Sequence, residues 1–379
     1  MRVGVVAGEA SGDALGVTLI EAIRMRYPDA EFEGIAGPGM QSLGAHSLYP
    51  MEKLSVRGYV EVLKALPVLL RIRRELIRHF LAHPPDLFVG IDAPDFNLTL
   101  EKHLKQAGIP TLHMVAPTVW AWRANRMPAI RESVNGILSI FPFEKPIFEQ
   151  AGISITDIGH PLAQRIPEHI DRQKARQTLG LVPDGPVVAL LPGSRISELE
   201  YHARLFVATA AQVAQRVPHA RFVAPLIDVR TRELFADALR TVPDAPVVQL
   251  LEGRAHDVLA AADVALVASG TATLEAALLK CPMVITYKLS ALTAWLARRR
   301  GVSGFVGLPN IILNQPVVPE LIQEQATPQA LAENLVQLLN DPVRREAMVQ
   351  AFERLHRLLH ADSHRGILQG VDKALRDAA

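Results

Sequence analysis

The feature that most constrains the fold is an alternation of short β-branched runs with longer amphipathic stretches, which occurs in two successive series along the 379-residue chain. Such alternation is typical of parallel sheets covered by helices on both faces. In the first series the runs that predict strands are residues 3–7, 32–36, 87–91, 111–115, 136–140 and 153–158. In the second series they are residues 187–191, 221–226, 247–251, 264–268 and 283–287.

The first series ends near Gly159-His160-Pro161, and a polar, charged linker follows to about Gln177. Two doubly wound units predict an α/β protein with two Rossmann-like domains that face one another across a cleft. We expect an N-terminal domain over 1–165 and a C-terminal domain over 166–345. A helical segment over 346–379 is expected to pack back on an N-terminal domain, of its own chain or of a partner chain.

The composition excludes several classes of protein. A chain that is 49% hydrophobic and 21% charged is not disordered. Its 40 basic and 39 acidic residues give a net charge of +1, so the protein as a whole has no positive field that would attract nucleic acid. The single cysteine, Cys281, excludes a disulfide framework, and the 13 histidines show no metal-ligand spacing, so we expect no metal and no cofactor. The first apolar stretch is too short for a signal peptide, and no run reaches the roughly 18–20 apolar residues of a spanning helix.

Loops that directly follow strands are where ligands of such sheets bind. The first is Gly8-Glu9-Ala10-Ser11-Gly12-Asp13, whose small residues let backbone N–H groups approach an anion at the start of a helix. It matches neither a P-loop nor a GxGxxG fingerprint. A tight turn in which Ser11 or Asp13 caps the helix explains it equally well.

The second loop contains two carboxylates and a carboxamide at a strand-to-helix junction, in Gly90-Ile91-Asp92-Ala93-Pro94-Asp95-Phe96-Asn97. Asp95 or Asn97 is expected to cap the following helix. Asp92 lies too early for that and stands at the end of the strand. We therefore predict Asp92 as a general base that takes a proton from an attacking hydroxyl.

Two loops of the second series predict a diphosphate site. Leu191-Pro192-Gly193-Ser194-Arg195 offers a short turn and, in Arg195, a guanidinium fork suited to phosphate. Ala268-Ser269-Gly270-Thr271-Ala272-Thr273-Leu274-Glu275 opens a helix with free N–H groups and hydroxyls. Glu275 either completes a capping box or accepts hydrogen bonds from ribose hydroxyls. The turn Leu308-Pro309-Asn310 adds a polar side chain, Asn310.

The mean hydropathy of +0.17 is high for the chain, and many of its apolar residues lie in the segment 59–80 with helical spacing. Within this segment Pro67 either kinks one helix or starts a second. A helix pair packed on the sheet is the commoner explanation, but a basic apolar helix also suits an anionic membrane surface. Residues 295–300 repeat the combination. The residues of this predicted membrane or acyl surface are Val60, Leu63, Leu66, Leu69, Leu70, Arg71, Arg73, Arg74, Trp295, Arg298 and Arg299. Trp120 and Trp122 either stack on a sugar, line an acyl groove or pack in the core.

Taken in order, the motifs GEASGD, GIDAPDFN, WAW, FPFEK, LPGSR, ASGTATLE and LPN resemble the lipid-A-disaccharide synthase family of GT-B glycosyltransferases over nearly the whole chain. The resemblance implies transfer of 2,3-diacylglucosamine from UDP-2,3-diacylglucosamine to 2,3-diacylglucosamine 1-phosphate (lipid X), with inversion and release of UDP. It also implies a cytoplasmic enzyme peripherally associated with the inner membrane.

The resemblance assigns Asp92 as the base, Arg195 and Glu275 to the nucleotide diphosphate and Asn310 to the cleft. The full nucleotide-sugar set is Gly193, Ser194, Arg195, Ser269, Gly270, Thr271, Ala272, Thr273, Glu275 and Asn310. Candidates for the acceptor or its phosphate are Glu9, Ser11, Gly12, Asp13, Asp95, Asn97, Trp120 and Trp122. A UDP-sugar 2-epimerase of the same fold and a non-enzymatic nucleotide-sugar or lipid carrier remain alternatives, and the sequence leaves a homodimer open.

Overall fold

The structure, a computed structural model, describes residues 1–54, 59–117, 126–181, 185–288 and 304–378. It divides into two compact units. The first comprises Met1–Pro161 and Leu359–Ala379, and the second comprises Leu162–Leu358. The first division falls close to the expected boundary at 165/166. The expected boundary at 345/346 instead lies inside a continuous helix, because a charge-rich helical pattern gives no sign of where the chain returns to the first unit.

The first unit is a parallel sheet with helices between its strands. Its described strands are β1 (Arg2–Ala7), β2 (Glu31–Ile35), β3 (His46–Ser47), β4 (Leu87–Ile91), β5 (Thr111–Met114), β6 (Gly136–Ser139) and β7 (Ile155–Asp157). Its helices are α1 (Ala10–Arg26), α2 (Pro38–Ser42), α3 (Tyr59–Ala82), α4 (Pro94–Gln106), α5 (Met127–Ser133) and α6 (Lys145–Gln150). Among the described residues the strand order is β3-β2-β1-β4-β5-β6-β7, all parallel.

The second unit repeats this architecture. Its described strands are β8 (Val187–Leu191), β9 (Arg221–Leu226), β10 (Val248–Glu252), β11 (Val264–Ala268), β12 (Met283–Tyr287) and β13 (Glu320–Ile322), in the parallel order β10-β9-β8-β11-β12-β13. The helices that follow Pro161 are α7 (Pro161–Arg165), α8 (Arg172–Thr178), α9 (Ile196–Arg216), α10 (Val229–Thr241), α11 (Ala255–Ala261), α12 (Thr271–Leu278), α13 (Leu308–Leu313), α14 (Pro328–Asn340) and α15 (Pro342–Leu359).

The strands at the middle of each sheet form its core. Every residue of β4, β8 and β11 is buried, which explains why these strands are continuous apolar runs in the sequence. In the first unit the apolar faces of α1 and α4 cover the same sheet through Leu19, Ile23 and Leu100. The sequence prediction of parallel, doubly wound sheets is therefore confirmed.

The last helix, α16 (Ser363–Ala378), packs on α1 and on β5, β6 and β7 of the first unit. Its buried face contains Ile367, Val371 and Ala374. Gly366 and Gly370 allow a close approach, because a Cβ on Gly366 would lie 2.8 Å from the Asp157 carbonyl oxygen and one on Gly370 would lie 2.4 Å from Leu138 Cδ2. The expected return of the C-terminal helix to an N-terminal unit is confirmed within one chain.

Several local expectations were wrong or incomplete. Helix α2 begins directly after Gly37, where no helix was predicted, and α3 continues as one helix through Pro67, so Pro67 does not start a second helix. The expected linker contains α7 and α8. The edge strands β3 and β13 were not predicted, since two or three residues carry no readable periodicity.

Candidate active site

Each sheet reverses its strand order between two neighbouring strands, β1 and β4 in the first unit and β8 and β11 in the second. In open α/β sheets, ligands bind outside the carboxyl ends of the strands at such a switch point. The loops after β1 and β4 lie at the first switch point, and the loops after β8 and β11 lie at the second. The four loops selected from the sequence therefore lie, two by two, at the switch points of the two sheets.

Asp13, in the first turn of α1 after β1, has a structural role. Its carboxylate accepts hydrogen bonds from the backbone N–H groups of Gly39 (2.8 Å) and Met40 (3.0 Å), at the start of α2. Glu9 is the N-cap of α1 and makes no side-chain cap. The expectation that Ser11 or Asp13 caps α1 is thus wrong, and Asp13 is buried with both carboxylate oxygens bonded to the start of α2. Ser11 is exposed and Gly12 is buried.

Asp92 is half-buried directly after β4. Its backbone N–H donates to the Met114 carbonyl at the end of β5 (2.8 Å). Asp92 and the next residue, Ala93, both have left-handed backbones, with φ of 53° and 43°. Non-glycine residues in this region cost on the order of 1 kcal/mol or more each, and they cluster at functional sites.

Neither Asp95 nor Asn97 caps α4 through its side chain, contrary to expectation, because Ala93 is the N-cap. The Asp95 side chain is 79% exposed and bonds to Arg126 (2.5 Å). Asn97 is fully buried and its Nδ2 donates to the carbonyl of Asp92 (2.8 Å). Asn97 is therefore not exposed to an acceptor, and the expectation that it binds one is wrong.

A buried acid–base pair that no sequence motif predicted lies beneath this loop. Glu101 Oε1 and His113 Nδ1 are 2.8 Å apart, and both side chains are fully buried. Burial raises the pKa of Glu101, although His113 opposes that shift. Among the described residues, Glu101 Oε2, His113 Nε2 and Asn97 Oδ1 have no hydrogen-bond partner. The only sign of this pair in the sequence is Glu101 itself, a carboxylate on the apolar face of α4, one turn after Asn97.

The loop after β8 turns at Gly193, whose φ of 122° favours glycine. Arg195 is the N-cap of α9, and the Glu198 carboxylate accepts the backbone N–H groups of Ser194 (2.9 Å) and Arg195 (3.2 Å). Glu198 also lies 3.3 Å from the Arg195 guanidinium, which is 58% exposed. Arg195 thus presents a largely exposed cation beside loop N–H groups that an internal carboxylate already occupies.

His202 holds this loop and was not predicted. It is fully buried in α9, with Nδ1 3.0 Å from the Pro192 carbonyl and Nε2 2.9 Å from the Lys288 backbone N–H. Because the Lys288 N–H donates to Nε2, the neutral ring must carry its proton on Nδ1. Burial lowers the pKa of His202. A neutral histidine therefore ties the loop after β8 to the end of β12.

The loop after β11 is held by its hydroxyl groups. Ser269 Oγ donates to the Val306 carbonyl (2.9 Å), and the buried Thr273 Oγ1 donates to the Gly270 carbonyl (2.8 Å). Gly270, with φ of 144°, is the N-cap of α12. The N–H groups of the first turn, at Thr271 and Ala272, have no acceptor inside the helix. They give this end a positive potential suited to an anion.

Glu275 points to another helix instead of completing a capping box. Its Oε1 is 3.6 Å from His256 Nε2 in α11, and the α12 N-cap has no side-chain cap. The capping-box interpretation of Glu275 is therefore wrong. The Glu275 carboxylate raises the pKa of His256, an effect that burial partly offsets.

Asn310 is buried, not exposed to a ligand. Its Nδ2 donates to the Val318 carbonyl and to Glu320 Oε1, and its Oδ1 accepts the Val318 N–H, all at 2.8 Å. Glu320 also accepts the backbone N–H groups of Val306 and Gly307 (both 2.9 Å). The expectation of Asn310 as a ligand-facing side chain is thus wrong, and its amide fixes the loop that contacts Ser269.

The described part of α3 has two faces. Leu66 and Val68 are exposed and Leu69 and Leu70 are half-buried, whereas Ile72, Leu76 and Phe80 belong to the core. Arg71 and Arg74 are exposed. Arg73 is turned inward and donates to the Asp95 carbonyl (3.2 Å), so it is not a free surface cation as expected.

Several predicted residues lie outside the residues whose side chains are described. They are Val60, Leu63, Trp120, Trp122, Trp295, Arg298 and Arg299. In the part of the chain that the structure covers, no helix is long and apolar enough to cross a membrane. Within the same residues, no group of three His, Cys, Asp or Glu side chains is placed to hold a metal ion.

Solved structures with this architecture define the class. The chain is similar to a UDP-N-acetylglucosamine 2-epimerase from Neisseria meningitidis (TM-score 0.61, 14% identity, 94% of this chain and 98% of that one). It is also similar to the calicheamicin glycosyltransferase CalG4 (TM-score 0.60, 16% identity, 100% and 99%). At these identities the likeness concerns the fold, which is the two-unit α/β fold of GT-B glycosyltransferases and related epimerases.

Sequence relatives narrow the class to one family. The family model described as Lipid-A-disaccharide synthetase matches residues 3–371. Proteins named lipid-A-disaccharide synthase are 51% identical in Alkalilimnicola ehrlichii (94% of each chain) and 50% identical in Thiobacillus denitrificans (98% of this chain and 100% of that one). The chain belongs to the lipid-A-disaccharide synthase family and is a glycosyltransferase of lipid A biosynthesis. The epimerases are only distant structural relations.

Proposed function

We propose that this chain transfers 2,3-diacylglucosamine from UDP-2,3-diacylglucosamine to the 6-hydroxyl of lipid X, and that Asp92 is the base. The products are the β-1,6-linked tetraacyl disaccharide 1-phosphate and UDP. The observation that carries the proposal is the half-buried carboxylate at the switch point of the first sheet, on a backbone held from both sides. Three other candidate side chains of the first unit, Asp13, Asp95 and Asn97, are already bonded to groups of the protein.

The reaction is a direct displacement. The acceptor oxygen attacks the anomeric carbon of the donor as Asp92 takes its proton. The bond from that carbon to the diphosphate oxygen breaks, and its electron pair leaves with UDP. Attack opposite to the leaving group inverts the anomeric centre. A positioned carboxylate in this role contributes about 10²- to 10⁴-fold to the rate.

The leaving diphosphate gains negative charge, which the second unit is suited to stabilise. Arg195 offers an exposed guanidinium at the end of β8. The first turn of α12 offers backbone N–H groups at the end of β11. Fixed donors of this kind can stabilise a departing oxyanion in the way that a divalent cation does, so we expect turnover without added metal.

The exposed apolar part of α3 supports contact with the membrane in which the acyl chains of both substrates lie. Leu66 and Val68 are exposed in the same helix as the exposed Arg71 and Arg74, a combination that suits an anionic membrane surface. We infer that the enzyme acts peripherally at the cytoplasmic face of the inner membrane. Replacing Arg71 and Arg74 by Glu should reduce co-sedimentation with phosphatidylglycerol vesicles, whereas the same change at the exposed Arg204 and Arg216 of α9 should not.

Acceptor recognition and assembly are further parts of the proposal. The exposed Ser11 at the first switch point is the remaining side-chain candidate of its loop for the acceptor phosphate, together with Glu9. A Ser11→Ala variant should raise the KM for lipid X more than the KM for the donor. A homodimer remains a prediction, and sedimentation equilibrium of the full chain measures it.

The deciding experiment is UDP release from UDP-2,3-diacylglucosamine in detergent micelles, with and without lipid X, and with EDTA. Acceptor-dependent release that EDTA leaves unchanged supports the proposal. Release without lipid X would favour an epimerase-type elimination or hydrolysis instead. Binding of the donor with no release at all would indicate a carrier.

A further inference from the structure

The strongest unexplained feature is the buried amide of Asn97. Its Nδ2 lies 2.8 Å from the Asp92 carbonyl oxygen, and 3.3 Å and 3.4 Å from those of Val6 and Ile91. These three oxygens belong to the carboxyl ends of β1 and β4 and to the loop that follows β4. The shortest contact is to the residue that we propose as the base.

The Asp92 backbone is held at both of its polar groups. The N–H donates to Met114 in β5, and the carbonyl accepts from Asn97 in α4. Between these two bonds the backbone adopts a left-handed conformation that a non-glycine residue does not choose by itself. Without the Asn97 bond, only the N–H side would hold that conformation.

Strand β4 has a glycine, Gly90, at the position where the Asn97 side chain crosses it, so an apolar side chain is absent there. A Cβ on Gly90 would lie 2.9 Å from Asn97 Cβ and 2.1 Å from Glu101 Oε1, so both polar side chains cross the strand where it has no side chain. In the described residues, Asn97 Oδ1, Glu101 Oε2 and His113 Nε2 lack hydrogen-bond partners. Buried polar atoms without partners are unfavourable, and in native proteins each needs an explanation such as a functional role.

We propose that Asn97 is a positioning residue that sets the direction of the Asp92 carboxylate through the Asp92 carbonyl. Asn97 itself touches no substrate. The inference rests on the proposed function, since it requires Asp92 to be the base. Glu101 occupies the space next to Asn97 that a side chain at position 90 would need, and His113 bonds to Glu101 there.

The main test is Asn97→Ala. It removes the donor and lets the left-handed turn relax, so turnover should fall about 10- to 100-fold, as expected for a misplacement of about 1 Å. The KM values and the affinity for UDP should change little, because the UDP loops belong to the other unit. Leu100→Ala is the matched control, since Leu100 is buried in the same helix. It should lower the melting temperature and leave turnover nearly unchanged.

A double-mutant cycle with Asp92→Asn separates the two proposals. If Asn97 acts through Asp92, Asn97→Ala should cost little or nothing further in the Asp92→Asn background. An equal loss in both backgrounds would overturn the positioning role and leave Asp92 as the base. Equal losses of turnover in Asn97→Ala and Leu100→Ala at equal melting temperature would also overturn it.

Two further outcomes complete the test. Full activity of Asp92→Asn would overturn the base assignment, and the positioning role with it. If Asn97→Ala does not fold, Asn97→Ser is used in the same cycle, because it keeps a small polar side chain that cannot span the distance to Asp92. A turnover loss in Asn97→Ser that disappears in the Asp92→Asn background supports the proposal, and wild-type turnover overturns it.

Discussion

The two switch points of this molecule are built in different ways. At the first, left-handed backbone falls on Asp92 and Ala93, and the fully buried Asn97, Glu101 and His113 lie beneath. At the second, left-handed backbone falls on glycines, Gly193 and Gly270. There the proposed ligand group, Arg195, is more than half exposed.

The difference matches what each half of the proposed reaction requires. A base must hold one carboxylate in one direction, which buried bonds and a strained backbone achieve. A diphosphate site needs N–H groups without internal acceptors and a cation that can adjust to the ligand, which the start of α12 after Gly270 and the exposed Arg195 provide. We therefore expect substitutions at the first switch point to affect turnover and those at the second to affect nucleotide binding.

The largest expected effect is that of Asp92→Asn. Turnover should fall by about 10²- to 10⁴-fold, because the amide cannot accept the acceptor's proton. UDP affinity, measured by calorimetry, should be nearly unchanged. Asp95→Asn is the control, since Asp95 lies three residues after Asp92, is exposed and is bonded to Arg126. A comparable loss in both variants would mean that the loop's charge, not its base, controls the rate.

Arg195→Ala should act on binding. Losing a charge-assisted contact to the diphosphate should weaken UDP binding by about tenfold or more. Arg195→Lys should recover only part of the affinity, because an ammonium lacks the guanidinium's planar fork. Arg204→Ala, an exposed arginine of the same helix, is the control. Unchanged UDP affinity in Arg195→Ala would break the proposed division of roles.

Asn310→Ala should affect stability first. It leaves both backbone groups of Val318 and one bond of Glu320 without their partner, which should cost about 2 kcal/mol of unfolding free energy for the second unit. Gln315→Ala, at an exposed position of the same loop, should cost little. Urea denaturation measures both. An unchanged midpoint in Asn310→Ala would show that the loop is held by other contacts.

The smallest expected effect is a pH dependence of stability, with opposite signs for the contributions of His202 and His256. The pKa of His202 is lowered in the folded state, so its contribution to stability is present above the unfolded pKa of about 6.5 and is lost as the pH falls through the folded pKa. The pKa of His256 is raised, so its contribution is present below about 6.5 and is lost as the pH rises through the folded pKa.

Urea denaturation at pH 8 and pH 5.5 tests both histidines. The stability advantage of the wild type over His202→Gln should shrink at pH 5.5, by on the order of 1 kcal/mol. The advantage over His256→Gln should grow at the same pH. Parallel changes in the two variants would contradict the assignment of the two environments.

The sequence was sufficient for the fold because the central strands are buried on both faces. The predicted ranges of β4, β8, β9, β11 and β12 coincide with the observed ones. The position of Asp92 at a strand end also followed from the pattern. The short edge strand β3 could not be predicted, since a strand of two residues is too short to show an alternation of apolar and polar residues.

What the sequence did not provide was the partner of each polar side chain. Asp13 and Asn310 have the residue types of ligand-binding groups, yet Asp13 bonds to N–H groups 26 and 27 residues further along, and Asn310 bonds across its own loop to Val318. Glu101 and His113 lie on different elements and meet only in the folded sheet. Such pairings depend on tertiary structure, which local spacing does not encode.

The division of the chain has a consequence for the order in which it is made. The first unit begins at Met1 but is completed only by Leu359–Ala379, after all of the second unit. On the ribosome, β6 and β7 therefore emerge long before α16, the helix that covers them. A nascent chain must keep that apolar surface from aggregating until α16 has been synthesised. Termination directly before residue 359 would release a chain with a complete second unit and a first unit that lacks α16.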